Sequence, residues 1–285
     1  MENILWVYKS ILTMLLASFV VLFLFCNLSL SEQRNQLLNI AYGSDPAQKL
    51  DVYRPENAKH VPILFMVHGG AWRVGDKASQ SFVQNKVNHW VPKGYIVISI
   101  NYRMLPAANP LVQANDVAHA LAFVQSKANT WGGDASHIVL LGHSAGAHLV
   151  SLLAASPSLV QQNGAKPWLG TIVLDSAAVD VARVMRLPHM SFYDDAFGSD
   201  PAFWNHVSPI AQLNSQPKPM FLVCSTLRRI SCMQAKQFQS KVTEFKGKAT
   251  VFPIALSHME LNQQLGLESD YTHQVEEFLQ SLGLP

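Results

Sequence analysis

Ile138-Val139-Leu140-Leu141-Gly142-His143-Ser144-Ala145-Gly146 passes from one kind of structure into another within a few residues. The aliphatic run before Gly142 is short, continuous and partly β-branched, the pattern of a strand buried on both faces. The stretch 145–155 (AGAHLVSLLAA) reads as a helix. Between them is a Gly-x-Ser-x-Gly turn. A strand that reverses this sharply into a helix forces strained backbone angles on its central residue, and small flanking residues avoid a clash. The turn lifts the Ser144 hydroxyl above the sheet and sets a helix N-terminus beneath it. Ser144 is therefore the candidate nucleophile.

The same alternation extends in both directions. Strand patterns occupy 61–67 (VPILFMV), 95–100 (YIVISI), 138–142, 171–174 (TIVL), 220–223 (MFLV) and 250–253 (TVFP). Helical patterns fill 112–128, 145–155, 233–245 and 269–282. Short apolar strands alternating with helices predict a mostly parallel, doubly wound α/β sheet with helices on both faces. Residues 48–53 alternate and suggest an antiparallel edge strand. In such sheets chemistry sits beyond the carboxyl ends of the strands. His68-Gly69-Gly70-Ala71-Trp72 lies there, directly after 61–67. Its glycines leave backbone N–H groups open to a developing oxyanion, so Gly69, Gly70 and Ala145 are the expected donors. His68 itself reads as a structural hydrogen bonder. Eleven histidines make any single one weak evidence. His258 is the candidate base, because it follows the last strand pattern and only His273, inside an amphipathic helix, lies beyond it. His119, His143 and His148 read as helix or elbow residues with local partners.

The chain of 285 residues is 49% hydrophobic and 14% charged, with a formal charge of +2 and no basic run. Nothing in that balance asks for a nucleic acid. Residues 11–30 are almost wholly apolar, with Lys9 before them and the small-x-small pattern Ser29-Leu30-Ser31 at their end. Such a run reads as a signal peptide or a membrane anchor. The expected organisation is thus an export segment at 1–31, able to associate with a membrane, and one catalytic domain at 32–285. Export predicts a periplasmic, secreted or outward-facing protein. In an oxidising compartment Cys224 and Cys232 could bridge; the alternative is one buried and one loop thiol. The spacing of these two cysteines suits no metal site, and neither a metal nor a cofactor is expected.

HGGAW at 68–72, NYRMLP at 101–106, GHSAG at 142–146 and AFGSDPAFW at 196–204 together resemble the HGG-motif esterase and lipase branch of the α/β hydrolases. Hormone-sensitive-lipase-like esterases, bacterial feruloyl-type esterases and kynurenine formamidases share these features. The resemblance runs from about residue 50 onward. It implies the α/β-hydrolase fold, a serine carboxylic-ester hydrolase working through an acyl-enzyme on Ser144, and a small-molecule ester as substrate. The order serine, acid, histidine is also implied.

One departure concerns the acid. The resemblance places an Asp just after the strand 220–223, where this chain has Arg228. Between Ser144 and His258 the carboxylates are Asp175, Asp180, Asp194, Asp195, Asp200 and Glu244. Glu244 falls late in a helix, Asp200 before Pro201 reads as a helix cap, and Asp194 and Asp195 belong to an excursion between 180 and 217. Asp175 ends the strand 171–174; some lipases of this fold are similar there, with Leu-Asp-Pro-Ala carrying the acid. Asp175 is therefore the expected third member and Asp180 the second choice. The excursion, rich in Phe192, Tyr193, Phe197, Phe203 and Trp204, serves either as a short cap over the site or as core packing. Its brevity favours short- to medium-chain esters. A formamide hydrolase and a hydrolase-like binding protein without catalysis are the competing functions.

Overall fold

The computed structural model describes residues 35–285. The reading of residues 1–31 as an export segment falls outside them. Among the described residues no helix is long and apolar enough to cross a membrane.

Among the described residues, eight strands form one sheet: β1 (Gln36–Ala41), β2 (Lys49–Tyr53), β3 (Val61–Val67), β4 (Ile96–Ile100), β5 (Gly133–His143), β6 (Gly170–Leu174), β7 (Met220–Ser225) and β8 (Ala249–Ile254). Their order is β1-β2-β4-β3-β5-β6-β7-β8. The pairs β1–β2 and β2–β4 are antiparallel and all others parallel. The helices are α1 (Gln80–Trp90), α2 (Pro110–Lys127), α3 (Ala145–Ala155), α4 (Pro157–Gln162), α5 (Val181–Met185), α6 (Ser191–Phe197), α7 (Pro201–His206), α8 (Pro209–Gln212), α9 (Arg229–Glu244), α10 (His258–Gln264) and α11 (Asp270–Ser281). The α/β-hydrolase expectation holds.

Strand periodicity builds two cores from one run of apolar residues. Along β3, Ile63, Phe65 and Val67 point to one face while Leu64 and Met66 point to the other. The first face is covered by α2, α3 and α9, the second by α1 and α11. Each fully buried Leu, Ile or Phe contributes roughly 1.5–3 kcal/mol. Every residue of α3 is buried, which explains its apolar circumference.

The sequence reading missed β1, α1 and α10, and it took β2 for the edge. β1 lies outside β2, and its sequence QLLNIA offers little pattern: it is half-exposed, bulged, and turns through a positive φ at Asn39. The excursion forms α5 to α8, with caps from Asp180 to Arg183 N–H and from Asp200 to Ala202 N–H. Phe197 is core, whereas Phe192 and Tyr193 face the cavity over the sheet. Both readings of the excursion thus apply, to different residues.

Candidate active site

The parallel register aligns the ends of β5, β6 and β7, and backbone hydrogen bonds stitch them together. Ser144 N–H donates to Leu174 O at 2.9 Å, and Asp175 N–H donates to Val223 O at 2.8 Å. Ser144 sits at φ 55° and ψ −117°, a strained pair that the elbow imposes. Any Cβ at Gly146 would lie 2.2 Å from Val67 O, so only glycine lets α3 start this close to β3. Asp175 also has φ 55°, at the matching end of β6.

His258 reaches these residues from α10. Ser257 caps that helix: its hydroxyl accepts from Glu260 N–H at 3.3 Å, and Glu260 Oε2 accepts from Ser257 N–H at 2.8 Å. This reciprocal S-x-x-E signature is visible in the sequence and would have placed His258 at the start of a helix. Ser144 Oγ stands 2.9 Å from His258 Nε2, and His258 Nδ1 stands 2.6 Å from Asp175 Oδ2. With Nδ1–H donating to Asp175, Nε2 is the acceptor for the Ser144 hydroxyl.

Asp175 is fully buried. Its Oδ1 accepts from Ser225 N–H at 2.8 Å and from the Ser231 hydroxyl, and its Oδ2 accepts from His258 and the Arg228 guanidinium. Arg228 Nη1 comes within 2.6 Å of His258 Nδ1, because both donors converge on the same oxygen. Burial alone would push the carboxyl up. The bonds from His258, Ser231 and Ser225, together with the Arg228 charge, hold it well below the usual carboxylate range. Residue 228 thus occupies the place expected of the acid and binds the acid from there. The Cys224–Cys232 bridge forms, with Cα atoms 5.0 Å apart, and closes the loop that carries Ser225, Arg228 and Ser231. Ser225 and Ser231 were not anticipated; two serines near a loop cysteine carry no distinctive pattern.

The other carboxylates lie elsewhere. Asp180 caps α5, Asp200 caps α7, Asp194 pairs with His189, Asp195 with Arg73 and Glu244 with Lys241. His143, His148 and His68 have structural partners. His143 Nε2 donates to His258 O at 2.9 Å, bracing the residue from below; burial pushes its pKa down to about 3. His148 accepts from Trp72 Nε1 and donates to Val207 O, with its pKa pushed down to about 4 by burial. His68 lies stacked on Tyr102, its ring centroid 4.6 Å away, and Nδ1 donates to Gly69 O. Lys86 in α1 is completely buried and donates to the backbone and side-chain oxygens of Asn262, tying α1 to α10; burial pushes its pKa down to about 7.

Gly69 packs against the elbow so closely that a Cβ there would lie 2.8 Å from Ser144 Cβ. The N–H groups of Gly69 and Gly70 meet no acceptor among the described residues. Ala145 N–H lies in the first turn of α3, where no intrahelical acceptor exists. All three residues line a cavity of about 560 Å³ that also contains Ser144, His258 and Arg228.

A doubly wound sheet with a serine on a strained elbow, a histidine and a buried carboxylate in line, and open N–H groups opposite defines an α/β hydrolase of the serine type. The BD-FAE family model matches residues 50–242, and the chain belongs to that family. Among curated relatives, Esterase LipQ of Mycobacterium tuberculosis is 30% identical over 205 residues, covering 66% of this chain and 48% of the relative. Isoprenylcysteine alpha-carbonyl methylesterase ICME of Arabidopsis thaliana is 33% identical over 114 residues, 40% of this chain and 26% of the relative. The chain therefore spans about half the length, or less, of the curated relatives it matches. In structure it is similar to Esterase B from Lactobacillus rhamnosis, with a TM-score of 0.70, 19% identity and 94% of each chain covered. It is also similar to a truncated carbohydrate esterase from gut microbiota, with a TM-score of 0.74, 19% identity, and 87% and 95% covered. These likenesses carry the fold.

Proposed function

We propose that the chain is a serine carboxylic-ester hydrolase, with Ser144 as nucleophile, His258 as general base and acid, and Asp175 as the orienting carboxylate. The continuous line Ser144 Oγ, His258 Nε2, His258 Nδ1, Asp175 Oδ2, with links of 2.9 and 2.6 Å, carries this reading. Ser144 Oγ attacks the ester carbonyl carbon as its proton passes to Nε2. The carbonyl oxygen becomes an oxyanion facing the N–H groups of Gly69, Gly70 and Ala145. When the intermediate collapses, the C–O bond to the alcohol breaks and Nε2 returns the proton to the departing oxygen. Water then attacks the acyl-enzyme with His258 again as base, releasing the acid and restoring Ser144. Asp175 keeps Nδ1 protonated and stabilises the imidazolium that forms twice per cycle. Relatives named as esterases support an ester substrate.

The competing reading, a binding protein without catalysis, rested on the absence of an acid after β7. Asp175 delivers a carboxylate to the same spot from β6, which removes its motive. The test is a serine-directed phosphonate followed by peptide mapping, together with p-nitrophenyl esters from C2 to C16 and N-formylkynurenine. Labelling of Ser144 and ester turnover are expected. No label, or turnover of the formamide alone, overturns the reading.

We further propose that the protein is exported. The apolar run 11–30 and the Cys224–Cys232 bridge support this, since disulfides persist in oxidising compartments. Cell fractionation that finds the full-length chain soluble in the cytoplasm would refute it.

A further inference from the structure

A second cavity, of about 410 Å³, adjoins the one that holds Ser144. Ala177, Met190, Phe192, Tyr193 and Arg228 wall both. The second is mostly apolar, but its lining includes Arg183, His189 and Arg228 and, among the described residues, no acidic one. These three basic side chains are not equally answered. His189 has Asp194 at 3.0 Å, and Asp194 in turn faces outward. Among the described residues the Arg183 guanidinium reaches only Met233 Sδ, at 3.9 Å, while Asp180 accepts from the Arg183 backbone N–H instead. Arg228 is engaged through one nitrogen alone: Nη1 serves Asp175. Its Nη2 and Nε have no partner among the described residues, and the side chain remains 30% exposed. Tyr193 is the other polar side chain shared by the two cavities; burial pushes its pKa up, so it stays neutral beside Arg228.

A guanidinium with one nitrogen fixed and its remaining edge open is a pre-oriented fork for a carboxylate. A residue that served only to hold Asp175 would not need that edge between two cavities, nor a second guanidinium, without a carboxylate partner among the described residues, in the lining of one of them. We propose that the ester substrate carries a carboxylate, received by the open edge of Arg228 with Arg183 behind it, so that the enzyme selects anionic esters over neutral ones. This inference rests on the hydrolase reading of Ser144. The carboxylate can belong to the acyl part or to the alcohol part, and the two are separable by experiment.

For the acyl arm, the full chain is assayed on the mono-4-nitrophenyl ester of adipic acid and on its neutral methyl ester. For the alcohol arm, it is assayed on 4-(butyryloxy)benzoate and the corresponding methyl benzoate. The readout is the anionic-to-neutral ratio of kcat/KM, which cancels any general loss that a change beside Asp175 causes. A ratio well above one is expected in one arm, falling as salt is raised. Arg228→Gln should lower that ratio about 10- to 100-fold, the scale of a hydrogen bond to a charged group. Arg183→Gln, remote from the nucleophile, should lower it about threefold or more. A ratio at or below one in both arms, or one that neither substitution moves, overturns the proposal and leaves Arg228 as a clamp on Asp175. If no ester is turned over at all, the hydrolase reading fails separately. Calorimetric titration of Ser144→Ala with the adipate monoester then decides the anion site alone: binding lost in the Ser144→Ala, Arg228→Gln double variant upholds it, and equal binding overturns it.

Discussion

Asp175→Asn probes the arrangement with a change of one atom. In the parent, Oδ1 accepts two donors, Ser225 N–H and the Ser231 hydroxyl, while Oδ2 faces two more, His258 and Arg228. An asparagine can satisfy only one side. With its carbonyl oxygen in the Oδ1 place, accepting from Ser225 N–H, which can only donate, its NH₂ turns toward His258 Nδ1. That nitrogen must then accept, so the proton moves to Nε2, which can no longer take one from Ser144. The cost of a wrong-tautomer triad is about 10³- to 10⁴-fold in kcat. At 1.36 kcal/mol per decade this is roughly 4–5.5 kcal/mol of transition-state stabilisation. Arg228 also loses its counter-charge, although its partial exposure lets water replace it, so the fold survives. The assay is kcat on a C4 nitrophenyl ester, with circular dichroism confirming the parental structure. If the variant keeps more than a tenth of parental kcat, Asp175 is not the orienting carboxylate.

Ser144→Ala should abolish ester hydrolysis and leave the far-ultraviolet spectrum unchanged; parental turnover in a folded variant would refute the nucleophile. Replacing Cys224 and Cys232 together by serine opens a loop with a separation of 8 residues, costing about 2.5 kcal/mol by the loop-entropy relation. Urea midpoints read that loss, and kcat should fall too, because the same loop delivers Ser225, Arg228 and Ser231 to Asp175. Lys86, with its pKa pushed down to about 7 by burial, binds its proton more weakly folded than unfolded. Its penalty is therefore complete below pH 7 and is relieved as pH rises toward the unfolded value near 10.5, so parental stability gains up to one proton's slope across that window. Lys86→Met should lack this slope, and parallel urea melts at pH 6 and pH 9.5 check it; identical slopes would refute the buried neutral amine. Finally, C4 esters should exceed C16 esters in kcat/KM, since the segment between β6 and β7 supplies just four short helices, α5 to α8, to enclose an acyl chain; the reverse order would contradict this.

The parts of the fold legible in the sequence are those where local pattern and burial agree. β3, β5, β6 and β7 are continuous apolar runs because both faces are covered, and α3 announces itself by following a Gly-x-Ser-x-Gly turn. β1 was hidden because an exposed, bulged strand needs no periodicity. α1 was hidden because its inner face carries Lys86, a residue whose burial depends on the two oxygens of Asn262 far along the chain. Within the site, Ser144, His258 and the Gly69–Gly70 turn could be found from motif and order. Asp175 needed a count of the available carboxylates. Ser225, Ser231 and the bracing of His258 by His143 are products of three-dimensional contact, and no spacing in the chain encodes them.

The hydrogen bond from Asp175 N–H to Val223 O makes the ends of β6 and β7 next-door sites on one ledge. A carboxylate mounted on either can face the same imidazole, so the position of the acid is defined in space and not along the chain. During descent, a chain bearing acids on both ledges would stay active while either one drifted. With the acid on one ledge, the other is free to carry the opposite charge, as Arg228 does, and to hold the acid instead of supplying it.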